Sequence, residues 1–177
     1  MFNGARSFNQ PLNNWNVSNV DPECLQTYMF EGAHSFNQPL NDWNVSNVKN
    51  LYGMFAGATS FNQPLNNWDV SNVTDMHKMF CREISFNQPL NNWNVSEVTD
   101  MERMFRDAED FNQPLNKWDV FNVEDMNSMF AFATSFNQPL NNWNVSNVNN
   151  MGFMFGWAES FNQPLHAPWY HEDSESE

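Results

Sequence analysis

Apolar residues recur along this chain on two interleaved schedules. Val98, Met101, Met104, Phe105 and Ala108 follow one another at intervals of three, three, one and three residues. That 3/4 spacing predicts one face of a short helix. In the preceding unit Ser71 or Asn72, followed by Thr74 and Asp75, offers N-cap chemistry, while Gly4, Gly32 and Gly57 suit the end of such a helix. The second schedule has a period of two: Trp93 and Val95 alternate with Asn92 and Asn94. It predicts a short strand with the indole facing in and the amides facing out. Between helix and strand lies Phe-Asn-Gln-Pro-Leu, where proline fixes φ, removes a donor and turns the chain.

The whole schedule repeats. Phe-Asn-Gln-Pro-Leu occurs seven times, beginning at Phe8, Phe36, Phe61, Phe86, Phe111, Phe136 and Phe161, with a first gap of 28 residues and every later gap of 25. A fixed period of this length marks a stacked array, in which each unit buries its apolar face only against its neighbours. The expected fold is therefore an α/β repeat solenoid of leucine-rich-repeat type, with one short parallel β-strand and one short helix per 25-residue turn and about seven turns. At about 4.8 Å per turn the array is roughly 30–35 Å long. Residues 1–170 form one domain and 171–177 a disordered acidic tail. The insertion at 21–25 reads as a bulged loop, and 165–170 as a partial C-terminal cap. The asparagine of each Phe-Asn-Gln-Pro-Leu is expected to bond the loop backbone of its own and the adjacent turn, because a stacked polar side chain must be satisfied.

Composition narrows the function classes. The net charge is −14, with seven Lys and Arg against 21 Asp and Glu. Nucleic acid and anionic membrane surfaces both need a basic footprint that this balance lacks. No run approaches the roughly 20 apolar residues of a membrane span. Cys24 and Cys81 occupy unrelated repeat positions, so no disulfide framework is expected. His34, His77, His166 and His171 likewise fall at four different repeat positions and predict no metal cluster. Asp75, Asp100 and Asp125 recur once per turn, and helix N-terminal charge complementarity accounts for them more simply than calcium. No cofactor is implied, and no nucleophile, acid and base converge, so the chain is expected not to be an enzyme.

The run Asp/Asn-Val-Ser-Asn-Val-Thr-Asp-Met-x-x-Met-Phe-x-x-Ala-x-x-Phe-Asn-Gln-x-Leu-x-x-Trp, nearly complete from Val70 to Trp93, resembles the BspA-like leucine-rich-repeat family of surface proteins. The resemblance covers roughly residues 1–165. It implies a leucine-rich-repeat-like solenoid, a cell-surface or extracellular location, and a binding or adhesion role without catalytic residues.

Two candidate sites follow from the period and from its breaks. The outward strand positions form polar rows, which include Asn67, Asp69, Asn92, Asn94, Lys117, Asp119, Asn142 and Asn144. Such rows could hold a glycan or an extended peptide; solvated asparagine ladders pairing along the array are the competing reading. The second candidate is an aromatic patch, where Phe121, Phe132, Phe153 and Trp157 replace small or polar residues of the repeat. If exposed, these would mark a partner surface; an extension of the core is the alternative. The expectation is a non-enzymatic repeat scaffold for binding, adhesion or protein interaction, with a protein or glycan ligand. The alternative is a structural element of a longer array that self-associates end to end or through the patch.

Overall fold

The computed structural model describes residues 1–18 and 27–165. The loop at 21–25, the residues of the C-terminal cap beyond 165 and the tail at 171–177 lie outside the described residues. Each 25-residue repeat forms one layer, and successive layers stack in register. We number them by residue: 1–18, 27–50, 51–75, 76–100, 101–125, 126–150 and 151–165.

The layers are built neither from helices nor from strands. Among the described residues there is no helix, and pairing is confined to single parallel bridges, Asn50 with Asp75, Asp75 with Asp100, Asp100 with Asp125, and Asp125 with Asn150. The expected α/β solenoid, with one helix and one strand per turn, is therefore corrected to a stack of turns. The third layer shows why. Six of its amides donate to the carbonyl three residues back, closing turns at 51–54, 53–56, 55–58, 58–61, 65–68 and 70–73. The residues read as a helix divide their amides between two tasks. Met54, Ala56 and Ala58 donate within the layer, to Leu51, Gly53 and Phe55. Leu51, Gly53, Phe55 and Gly57 donate instead to Asp75, where the next layer begins to stack, and to His77, Met79 and Cys81 of that layer, at 2.8–2.9 Å. A helix keeps all these bonds to itself; here half of them hold layers together.

Gly57, expected at a helix end, serves a turn here, and so does Gly53. Gly53 and Gly57 are the third residues of the turns at 51–54 and 55–58, with φ of +59° and +68°, the left-handed backbone that a type II turn demands there. Gly53 has a second constraint: a Cβ built on it would stand 2.7 Å from Cδ1 of Tyr28 in the layer before.

Outside the turn 53–56, the first and last residues of each turn point inward, and they are the apolar ones. Leu51, Met54, Phe55, Ala58, Phe61, Leu65, Trp68, Val70 and Val73 are all buried. Repetition turns them into columns. Phe30, Phe55, Phe80, Phe105 and Phe130 stack at 5.6–5.7 Å between layers. Phe36, Phe61, Phe86, Phe111 and Phe136 form a parallel column at 5.9–6.2 Å. Each ring of one column also lies about 4 Å from a ring of the other, as in Phe55 with Phe61 at 4.2 Å, and stacked aromatic pairs add about 0.5–1.5 kcal/mol each beyond area burial.

Two polar devices clamp the layers. Each interior tryptophan donates its indole N–H to a leucine carbonyl of the layer before: Trp43 to Leu12, Trp68 to Leu40, Trp93 to Leu65, Trp118 to Leu90 and Trp143 to Leu115, at 2.8–3.0 Å. The invariant asparagines do what their repetition predicts across layers. Asn37 Oδ1 accepts the amide of Asn62 at 3.0 Å and the side-chain amide of Gln63 at 2.9 Å, and the pair recurs at Asn62, Asn87, Asn112 and Asn137.

Candidate functional site

The polar rows lie outside, as the alternation predicts: Asn67, Asp69, Asn92, Asn94, Lys117, Asp119, Asn142 and Asn144 are all exposed. Their chemistry is largely committed to the backbone. Oδ1 of Asp69 accepts the amide and hydroxyl of Ser71 at 3.1 and 2.6 Å, and those bonds hold its carboxyl below the usual range. Asn94, Asp119 and Asn144 accept the amides of Ser96, Phe121 and Ser146 in the same way, at 3.2 Å. This is an Asx turn, and it fixes the side-chain oxygen. In the other row, Lys117 Nζ donates to Asn92 Oδ1 at 3.3 Å and Asn142 to the Asn116 carbonyl at 3.4 Å.

The aspartate column is also a turn device. Oδ1 of Asp75, Asp100 and Asp125 accepts the amide two residues on, at 2.7–2.9 Å. At either end of the column an asparagine, Asn50 or Asn150, donates to the neighbouring carboxylate. Burial pushes the Asp75 carboxyl up, against the pull of the His77 amide. No group of three or more His, Cys, Asp or Glu among the described residues is placed to hold a metal ion.

The aromatic substitutions divide. Phe132, Phe153 and Trp157 stand on the outward side of the turn ladder in the sixth and seventh layers, 37%, 77% and 71% exposed. Phe132 and Trp157 stack across layers at 6.3 Å. Phe121 is exposed as well, but it sits at the Asx turn, eleven residues before Phe132. The patch is therefore three residues on one face, with Phe121 outside the ladder.

That ladder face carries groups that no local motif announces. Tyr28, Tyr52 and His77 follow one another along it, with rings 4.5 and 4.6 Å apart. Burial, reinforced by Tyr52, pushes the Tyr28 phenol up to about 12. Lys78 Nζ lies 5.7 Å from the Tyr52 ring, and the Arg106 guanidinium 5.6 Å from the Phe132 ring. Arg82 and Arg106 flank Asp107 at 3.9 and 3.4 Å, and Glu102 lies between His77 and Arg103 at 3.3 and 3.1 Å. His77 Nε2 and the Nε atoms of Arg103 and Arg106 approach these acids without hydrogen-bond alignment. Chain positions 78 and 103, like 82 and 107, are one 25-residue period apart, so the stack brings them together.

Inside the fourth layer, Glu83 occupies the position held elsewhere by Ala33, Ala58, Ala108, Ala133 and Ala158, and it is fully buried. One carboxyl oxygen accepts the Phe86 amide, which in the other layers bonds the backbone carbonyl of the alanine. The other oxygen has no hydrogen-bond partner. Burial pushes this carboxyl up to about 9, although nearby backbone amides favour the charged form. Cys81, two residues earlier, is a buried free thiol, also pushed up by burial. The loss of glycine and alanine at 81–84 predicts a repacked corner; instead the layer keeps its path and seats the glutamate in the alanine position.

A family model described as Mycoplasma protein of unknown function, DUF285, matches residues 1–88 and 63–169. No curated protein matches the chain significantly. No helix among the described residues is long and apolar enough to cross a membrane.

Proposed function

We propose that this chain, which belongs to the DUF285 family, is a non-enzymatic repeat scaffold that binds a protein or glycan ligand through the outward face of its turn ladder. The observation that carries the reading is where the repeat varies. The Asx-turn row holds only Asn or Asp at Asn16, Asn44, Asp69, Asn94, Asp119 and Asn144. On the ladder face the equivalent positions run Gly32, Gly57, Arg82, Asp107, Phe132 and Trp157, and beside them Tyr28, Gly53, Lys78, Arg103, Ser128 and Phe153. A repeat surface gains specificity where its side chains differ from layer to layer and are not needed for stacking. The three exposed aromatic residues add the desolvable anchors that partner surfaces use. The resemblance to BspA-like surface proteins supports an adhesion setting.

The test compares the intact chain with a variant carrying Phe132→Ser, Phe153→Ser and Trp157→Gly, against a glycan array and a panel of extracellular-matrix and cell-surface proteins. A ligand captured by the first and lost by the second is the expected result. Undiminished capture by the variant would exclude this face, and absence of any ligand counts against a binding role.

A second reading, a structural element that stacks on further copies, draws on Phe2, Phe8, Phe155 and Phe161. These continue the two phenylalanine columns and are only partly buried. Light scattering over a range of concentrations separates the two, because a strict monomer removes the structural reading.

A further inference from the structure

The ladder face has an electrostatic character opposite to that of the chain. Lys78, Arg82, Arg103 and Arg106 are four of only seven basic residues, and all four stand on this face in two adjacent layers. Arg82 is the most open, its side chain 76% exposed. The acids among them are Glu102, Asp107 and, 3.9 Å from His77, Asp100, so four cations stand against three carboxylates on a chain of net charge −14. Along the same face, the next two layers present Phe132, Phe153 and Trp157. Arg106 against the Phe132 ring joins the two halves, a contact that orients the guanidinium as well as attracting it.

These side chains are held at a backbone cost. Lys78, Arg82, Arg103, Phe132, Phe153 and Trp157 all have left-handed φ, between 55° and 61°. The equivalent positions of the second and third layers include Gly32, Gly53 and Gly57, for which that conformation is unstrained. Six large side chains retained where glycine folds more easily point to a task outside folding.

We propose that this strip is the docking surface for an acidic peptide segment of a partner protein, one carrying two or three carboxylates beside a large apolar side chain. The proposal rests on the binding role argued above and names the chemistry of the ligand. Charge complementarity sets the acidic half, since the exposed Arg82 and the half-buried Arg103 and Arg106 beside it pair with carboxylates. Length sets the rest. Two layers span about 10 Å at the spacing of paired chains, enough for a few carboxylates. A long polyanion would overhang onto the acidic remainder, where three basic residues stand against 18 of the 21 acids, and would be repelled at distances comparable to the ~8–10 Å screening length. Beyond the cations a peptide meets aromatic rings, which suit an apolar side chain and not more charge.

The probe is a fluorescent peptide with three glutamates followed by tryptophan and leucine, titrated with the full chain and followed by anisotropy. Binding is expected, weakening as salt rises. The double variant Arg82→Gly, Arg103→Gly should bind about tenfold or more weakly, while its melting temperature stays level or rises because glycine relieves the left-handed strain. That pairing of weaker binding with undiminished stability is something a purely structural role would not produce. Equal affinity for a lysine-for-glutamate peptide, or undiminished binding by the double variant, overturns the proposal. So does preferred binding of a heparin fragment, which would make the ligand a polyanion. Tighter peptide binding after Glu172→Gln, Asp173→Asn and Glu175→Gln would assign the strip to the chain's own C-terminal segment, and a dimer mass lost with Arg82→Gly would assign it to a second copy; either overturns a separate partner. A neutral aromatic peptide that binds, ignores the arginines and is lost with Trp157→Gly overturns the acidic ligand alone and leaves the wider binding role standing.

Discussion

Glu83 gives the stack a stability that depends on pH in a direction opposite to that of most paired carboxylates. Its folded carboxyl titrates at about 9, against an ordinary value of 4.5. Below the ordinary value both the folded and unfolded chains hold the proton, and the group contributes no pH dependence. Above it the unfolded chain ionises while the folded chain stays neutral, so the unfolded state gains stability as pH rises, until the folded group also ionises near 9. Integrated at about 1.4 kcal/mol per pH unit, the cost reaches about 3 kcal/mol at pH 7. Glu83→Ala removes the titration and restores the residue that the other layers bury at the same position. It also lets the Phe86 amide take the backbone carbonyl, as the Phe61 amide does at Ala58. The expected result is a variant more stable than the parent by about 2–3 kcal/mol at pH 7 and by less at pH 5. Denaturant unfolding followed by tryptophan fluorescence at intervals from pH 5 to pH 9 measures both. The difference between the two curves isolates this group from the other titrations. A difference independent of pH, or a Glu83→Ala chain less stable at pH 8, would refute a buried neutral carboxyl.

Three further outcomes follow from the clamps and turns. Gly53→Ala should destabilise by about 2–3 kcal/mol, from positive φ together with the clash against Tyr28; Tyr28→Ala in the same chain should recover the steric part, measured by a double-mutant cycle in urea. Trp93→Phe keeps an aromatic ring but removes the interlayer bond and leaves the Leu65 carbonyl only the Trp68 amide of its own turn, and should cost about 1–2 kcal/mol in the same assay. Asn87→Ala leaves the Asn112 amide and the Gln113 side chain without their shared acceptor. It should cost about 1–3 kcal/mol, and hydrogen exchange should show the Asn112 amide losing protection before its neighbours do.

The stacking period, the inward set and the duty of the repeated asparagine were legible because each rests on side chains meeting copies of themselves. The secondary structure was not, because consecutive turns imitate a helix. Leu51 with Met54 and Phe55 with Ala58 close turns of four residues, so both ends of each pair face inward three apart, as on a helix. Gly53 and Gly57, four apart within one short run, were the signal available, since a helix pays about 1 kcal/mol for each glycine while a left-handed turn position favours it. The strand expectation failed for a related reason. Trp93 and Val95 are buried and Asn92 and Asn94 exposed, yet the layer-to-layer backbone bonds run mainly along the ladder and not through this segment. The basic strip was hidden because Arg82 and Arg106 are 24 residues apart in the chain, and only the stacking of layers brings both to Asp107.

The cost of varying a residue differs between the two faces, and that difference supports the proposal that a ligand binds the ladder face. In the Asx row the side chain must present an acceptor to the amide two residues on, and asparagine and aspartate do so at the required reach. The mixture of Asn94, Asp119 and Asn144 is therefore explained by the backbone alone, and a ligand there would compete with bonds the turn needs. On the ladder face the backbone bonds pass from layer to layer whatever the side chain is: Gly57, Arg82, Asp107 and Phe132 all donate to the following layer at 2.7–2.8 Å. Identity at those positions is then limited only by the strain of left-handed φ, about 1–2 kcal/mol for a residue other than glycine. A ligand contact of ordinary strength offsets that. Selection for binding can thus act on the ladder face without disturbing the stack, whereas in the asparagine rows any gain in contact is taken from the fold.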